Sequence, residues 1–140
     1  MTPDRLVAEA VAYAASFARD DPRTRRGLWL LHTLAGPEGT GLSVRAVHGV
    51  GSARLRAGGG GPVIEVDPDF VAEHVHDPAS ALFVLGHELL HRVRGDLSRF
   101  VAVDQATWHL LGLALDLFVD AHLERLWFRG HGAPLCARLY

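Results

Sequence analysis

Hydrophobic residues return at helical spacing from Pro3 to about Arg19, where Leu6, Val7, Ala10, Tyr13, Ala14 and Phe17 share one side of an amphipathic helix. Asp20-Asp21-Pro22 stops it. A second helix is predicted over about 22–34, with Leu28, Leu31 and His32 on one side and Gly36-Pro37 closing it. The period then changes: Leu42, Val44, Ala46 and His48 alternate with smaller or polar residues, as in a half-buried strand. Gly49–Gly51 and Gly58–Gly61 flank an arginine-bearing stretch, Ala53–Ala57, that reads as a flexible hairpin or loop. No helix opens after those glycines, so they do not form a phosphate cradle. Val63–Val66 reads as a second strand and Asp67–His76 as a short helix led in by Pro68.

The strongest helix begins at Asp77-Pro78, a cap followed by a first-turn proline, and runs to about Arg94 before Gly95. Another long helix is expected from Asp104 to about Phe128. The pattern gives an α+β fold of about five helices and a two- or three-stranded sheet. No internal repeat or linker divides it, so 1–140 reads as a single domain.

Composition narrows the functional classes. The formal charge of −2 gives no overall field to draw the chain to nucleic acid or anionic lipid. All 14 basic residues are arginine, and Lys and Asn are absent, which excludes Schiff-base lysines, P-loop lysines and Asn-based ligand motifs. The lone Cys136 cannot form an internal disulfide. No secretion signal or membrane-spanning run is visible, and a cytoplasmic location is the expectation. His74 and His76 near Glu73, and the cluster Arg23, Arg25 and Arg26, read as solvated helix faces. Trp108, Trp127 and Phe128 read as core packing or a partner-binding edge.

His87-Glu88-Leu89-Leu90-His91 carries the chemistry. Histidines four apart on a helix lie about 40° apart around its axis and about 6 Å along it, so both imidazoles can converge on one tetrahedral zinc ion. Glu88 stands beside them, placed to take a proton from a metal-bound water and hand it to a leaving amine. Such a site needs a third protein ligand. The H-E-x-x-H-x-x-G-x-x-H extension fails, since Arg94 and Leu97 occupy its last two fixed positions. The downstream helix offers His109, Asp116, Asp120, His122 and Glu124. Asp116 ranks first, because a carboxylate within the apolar run Leu110–Val119 needs a strong partner. Glu124 ranks second and His122 third. Asp120, one turn from Asp116, is a candidate to orient a ligand imidazole. An Arg92 or Arg94 salt bridge is the alternative role for Asp116. The oxyanion-stabilising group stays open among His109, His122 and His131.

Val63–Phe70, the HELLH helix, Arg94–Arg99 and Ala114–Asp120 together resemble the metallopeptidase-like domain found N-terminal to VWA-like domains in bacterial proteins. The resemblance runs from about residue 22 to 127, and HELLH is its specific part. It implies a zincin-like arrangement, with a small sheet on the metal helix and a second helix supplying another ligand, and its matching block also selects Asp116. Asp96 stands where that family has a His, and Asp120 where it commonly has an Asn. The VWA-like domain is not in this sequence, so no role that depends on it carries over.

The expectation is therefore a zinc-dependent hydrolase acting on a peptide or protein, with no nucleic-acid or membrane partner. His87, His91 and Asp116 hold Zn2+ and Glu88 is the general base. The strand at Val63–Val66, if its edge is free, can take an extended peptide by strand addition. The competing expectation is a non-catalytic module that keeps the metal, or the fold, to bind a partner.

Overall fold

The helix that the rest of the structure surrounds runs Pro78–Arg94 and is apolar on nearly every side: Ala81, Leu82, Phe83, Val84, Leu85, Leu89 and Leu90 are all buried. A helix of this kind must lie at the centre of a domain. Asp77 starts it, its Oδ1 accepting a 2.7 Å hydrogen bond from the Ser80 N–H. In this computed structural model the described residues are 2–18, 43–58, 61–94, 104–123 and 125.

In chain order the elements are α1 (Pro3–Ala18), β1 (Ser43–Ala46), β2 (Ala53–Gly58), β3 (Gly61–Val66), α2 (Pro68–His74), α3 (Pro78–Arg94, the central helix) and α4 (Gln105–Leu123). Helix α1 lays Leu6, Ala10 and Ala14 against α3, and its small alanines let the two helices approach closely. The predicted helix over 22–34, the fifth of the expected set, lies outside the described residues; among these there are four helices and three strands.

The sheet order is β1-β3-β2, parallel between β1 and β3 and antiparallel between β2 and β3. Two expectations are corrected here. Of the two readings of Ala53–Ala57, the flexible loop fails and the hairpin holds: the segment pairs in register with β3, from Ala53 opposite Val66 to Gly58 opposite Gly61. The cause is its alternation, with Leu55 turned into the core while Arg54 and Arg56 point out, a period hidden between two glycine runs. Val63–Val66, in turn, has no free edge, because β3 is the central strand and is paired on both sides. Ile64 and Val66 face the core, and β2 is the strand that packs against α3.

Asp67 ties the sheet to the helices. Its Oδ1 caps α2 by accepting from the Asp69 N–H (3.0 Å), and its Oδ2 accepts from the Gly51 N–H (2.8 Å) in the turn between β1 and β2. That turn needs glycine at Gly49 and Gly51, whose φ values are +82° and +80°.

Helix α4 meets α3 along the stripe Asp116, Val119, Asp120 and Leu123, with Val119 and Leu123 fully buried. Its apolar run points elsewhere: Trp108, Leu110, Leu113, Leu117 and Phe118 are exposed, so Trp108 is not a core residue. Trp127 and Phe128 lie outside the described residues. Among the described residues no helix is long and apolar enough to cross a membrane.

Candidate metal centre

Helix periodicity sets the site from both sides. On α3, His87 and His91 stack one turn apart toward α4, their ring centroids 4.7 Å from each other. On α4, Asp116 and Asp120 stack one turn apart toward α3. The Nε2 atoms of His87 and His91 are 3.0 Å apart. Asp116 Oδ1 lies 3.2 Å from the first and 2.9 Å from the second. Three donor atoms from two helices thus form a near-equilateral triangle.

The remaining His87 nitrogen, Nδ1, donates to Asp120 Oδ1 at 2.8 Å. A proton held there leaves Nε2 with its lone pair directed into the triangle, which is how carboxylates orient metal-binding imidazoles. Asp120 is itself largely buried, and Phe83 flanks the His87 ring at 6.2 Å between centroids.

The triangle fits a small divalent cation. Tetrahedral ligands at zinc bond lengths of about 2.0–2.1 Å stand about 3.3 Å from one another. The three spacings here, 2.9–3.2 Å, need to open by only a few tenths of an ångström. Among the described residues no fourth His, Cys, Asp or Glu donor joins the set.

The electrostatics favour positive charge in the triangle. Burial pulls His87 toward the neutral form, but Asp116 and Asp120 outweigh it and lift its pKa to about 10. Burial likewise opposes ionisation of Asp116, yet its contacts with His87 and His91 hold it well below the usual carboxylate range. The attraction is the same in kind whether a proton or a metal ion occupies the position.

Glu88 lies close enough to His87, His91 and Asp116 to feel their charges, and also near β2 at Leu55. It is only 8% exposed, and the nearby Leu55 amide favours its ionised form. Burial pushes its carboxyl up, against the opposing pull of His87 and His91. The Leu55 amide could not be found from the sequence, because a backbone donor leaves no mark in residue type.

The structure brings together His87, Glu88, His91, Asp116 and Asp120. It does not bring in His109 or His122, which are exposed on α4 and outside the triangle. Glu124, His131, Cys136, the Arg92 and Arg94 side chains and the cluster Arg23, Arg25 and Arg26 lie outside what is described. Asp116 differs from its expected setting. Its side chain is 40% exposed rather than buried among the leucines, and its described partners are the two histidines. His74 packs on Phe70 and sits 3.8 Å from Glu73, outside any metal-sized cluster. A second grouping, His48, Asp67 and Asp69, has its buried member committed to the backbone amides described above.

No protein-family profile, curated protein or solved structure matches the chain.

Proposed function

We propose that the chain is a zincin-like, zinc-dependent hydrolase acting on peptides, with His87, His91 and Asp116 as the metal ligands and Glu88 as the general base. The observation that carries this reading is the convergence of His87 Nε2, His91 Nε2 and Asp116 Oδ1 within 3.2 Å, beside a buried glutamate. Two imidazoles and one carboxylate suit zinc better than calcium or magnesium, which take oxygen-rich sets. Bound there, zinc supplies Lewis acidity, lowering the pKa of a water molecule toward neutrality and polarising a carbonyl.

The chain's own groups do the rest. Asp120 fixes the His87 ring through Nδ1. The Glu88 carboxylate, raised in pKa by burial, accepts the proton of the attacking water and returns it to the departing amine nitrogen. Because Glu88 lies near the Leu55 amide of β2, an extended peptide laid along that strand would pass directly beside it. A purely structural metal site is normally closed by a fourth protein ligand, and among the described residues none joins these three.

The test has two parts. Purified protein should hold about one zinc per chain, and a His87→Ala, His91→Ala double variant should lose it. Glu88→Gln should keep the zinc yet cleave a broad peptide library about 10²–10⁴-fold more slowly than wild type. Full zinc occupancy in the double variant removes the metal assignment. Zinc-loaded wild type that cleaves nothing supports the non-catalytic module instead.

A further inference from the structure

The outer face of the sheet carries an unusual concentration of charge. Arg45 on β1 and Arg54 and Arg56 on β2 fan around Glu65 of the central strand. Glu65 is only 1% exposed, whereas all three arginine side chains are at least half exposed. Arg54 Nε donates to Glu65 Oε2 at 2.7 Å and Arg45 donates to Oε1, while Arg56 Nη1 stands 3.7 Å from Oε1, beyond hydrogen-bond reach. One carboxylate cannot neutralise three guanidinium groups, so this face keeps an excess of two positive charges on a chain whose formal charge is −2. Glu65 acts as a fixed anchor that holds the forks in place and leaves most of their N–H donors directed outward.

Among the described residues, the strand that bears two of these arginines is also an edge of the sheet. Antiparallel residues alternate in the direction of their backbone groups. The Ser52 carbonyl accepts from the Asp67 N–H at 2.8 Å across this pairing, so by alternation Arg54 and Arg56 bond to β3 while Ala53, Leu55 and Ala57 turn their N–H and C=O groups away from it. Among the described residues no strand pairs with that side. The Ala53 carbonyl accepts from the Ser52 hydroxyl at 3.1 Å and the Leu55 amide lies near Glu88, so the Ala53 N–H, the Leu55 carbonyl and the Ala57 main-chain groups are the ones that face an added strand. In such a strand, the residues opposite Arg54 and Arg56 share their face, with Cβ atoms about 4.5–5.5 Å away. These two residues are separated by one intervening position, whose side chain points to the core side, where Glu88 and the metal triangle lie.

We infer that Arg54 and Arg56 are specificity-determining residues, selecting extended peptides that carry carboxylates at positions i and i+2 on the outer sheet face. This rests on the hydrolase reading above and names its substrate class. Arg45 lies across the central strand, about three strand spacings or roughly 14 Å from the added peptide. It contributes to the anchor but not to the contact.

The experiment measures binding and cleavage separately. Binding is read by fluorescence anisotropy on the full chain carrying Glu88→Gln, with a labelled extended octapeptide bearing Glu at i and i+2 and its isosteric Gln analogue. The Glu peptide is expected to bind more tightly by up to about fivefold for each opposed pair, or up to about 25-fold for two. Arg56→Glu, at the position least engaged with Glu65, should abolish its share of the preference and favour a Lys peptide instead. Arg54→Gln should remove the other share. Arg45→Gln disturbs the same Glu65 anchor from the far side and should leave the preference in place, and circular dichroism checks that each variant is folded. Glu and Gln peptides binding within twofold of each other overturn the inference. So does an equally charged oligonucleotide that displaces the peptide with equal affinity, since charge would then be read without strand pairing. Wild-type cleavage with no acidic preference leaves the hydrolase reading standing and defeats the specificity. Acidic preference in binding with no cleavage of any peptide does the reverse.

Discussion

Removing the carboxylate of Asp116 is the perturbation that most directly tests how the two helices share the site. Zinc affinities in closed four-ligand protein sites correspond to about 10–16 kcal/mol, or about 3–4 kcal/mol for each ligand. Losing one ligand therefore weakens binding by about 10²–10³-fold at 1.4 kcal/mol per decade. Asp116 is 40% exposed, so water can reach the gap left by Asp116→Ala, and the lower end of that range is expected. Asp120→Ala acts differently. It removes no ligand atom, but it deprives His87 Nδ1 of a 2.8 Å partner at a position only 10% exposed. The His87 ring is then free to turn or to change tautomer, at a cost of about 10–100-fold. Glu124→Ala should change affinity little. Competition against a chromophoric chelator, with the variants compared in one buffer at one pH, gives the order directly. Zinc binding by Asp116→Ala within threefold of wild type refutes the ligand assignment. A larger loss in Asp120→Ala than in Asp116→Ala refutes the division of labour between them.

Three further outcomes follow from the fold. Leu85→Ala empties a fully buried position of α3 and should lower unfolding stability by about 2–5 kcal/mol in denaturant titrations. Asp77→Ala removes the acceptor for the Ser80 N–H at the start of α3 and should cost about 0.5–2 kcal/mol in the same assay. The Arg45 and Arg54 hydrogen bonds hold Glu65 below its usual pKa against the effect of burial. A carboxyl with a lowered folded-state pKa stabilises the fold above its unfolded value, and that contribution is lost as the pH falls through the folded one. Glu65→Gln should therefore flatten the acid limb of the stability profile below about pH 4. An unchanged acid limb would show that the arginine fan does not hold Glu65 in solution.

Much of the site was legible in the chain because helical geometry is local. Four-residue spacing alone puts His87 above His91 and Asp116 above Asp120. Asp77-Pro78 marked the start of α3, and Asp104 that of α4, because capping is decided by a few adjacent residues. Asp116 was reached by an argument that the structure replaces. A leucine-rich run implied a buried face, yet Leu110, Leu113, Leu117 and Phe118 are exposed. The stripe that meets α3 includes both aspartates, since the facing surface of α3 presents two histidines that offer carboxylates a partner. Hydrophobic pattern reports what can be buried, and the neighbouring element decides what is.

The sheet shows the same division. Alternation identified strands at Val44 and Val63, but the three-residue alternation around Leu55 was lost between glycine runs. Which strand would be central could not be read at all. Sheet order arises from non-local pairing, set by which strand covers the apolar face of α1 and α3 and not by any property of the strand itself. By itself, the sequence determined that a helix would carry two histidines and a glutamate, with paired aspartates on a later one. Tertiary packing alone turns the two helices toward each other, makes β2 and not β3 the sheet edge near Glu88 among the described residues, and gathers three arginines around one buried glutamate. Each of those depends on the distances between segments far apart in the chain, which no local spacing rule contains.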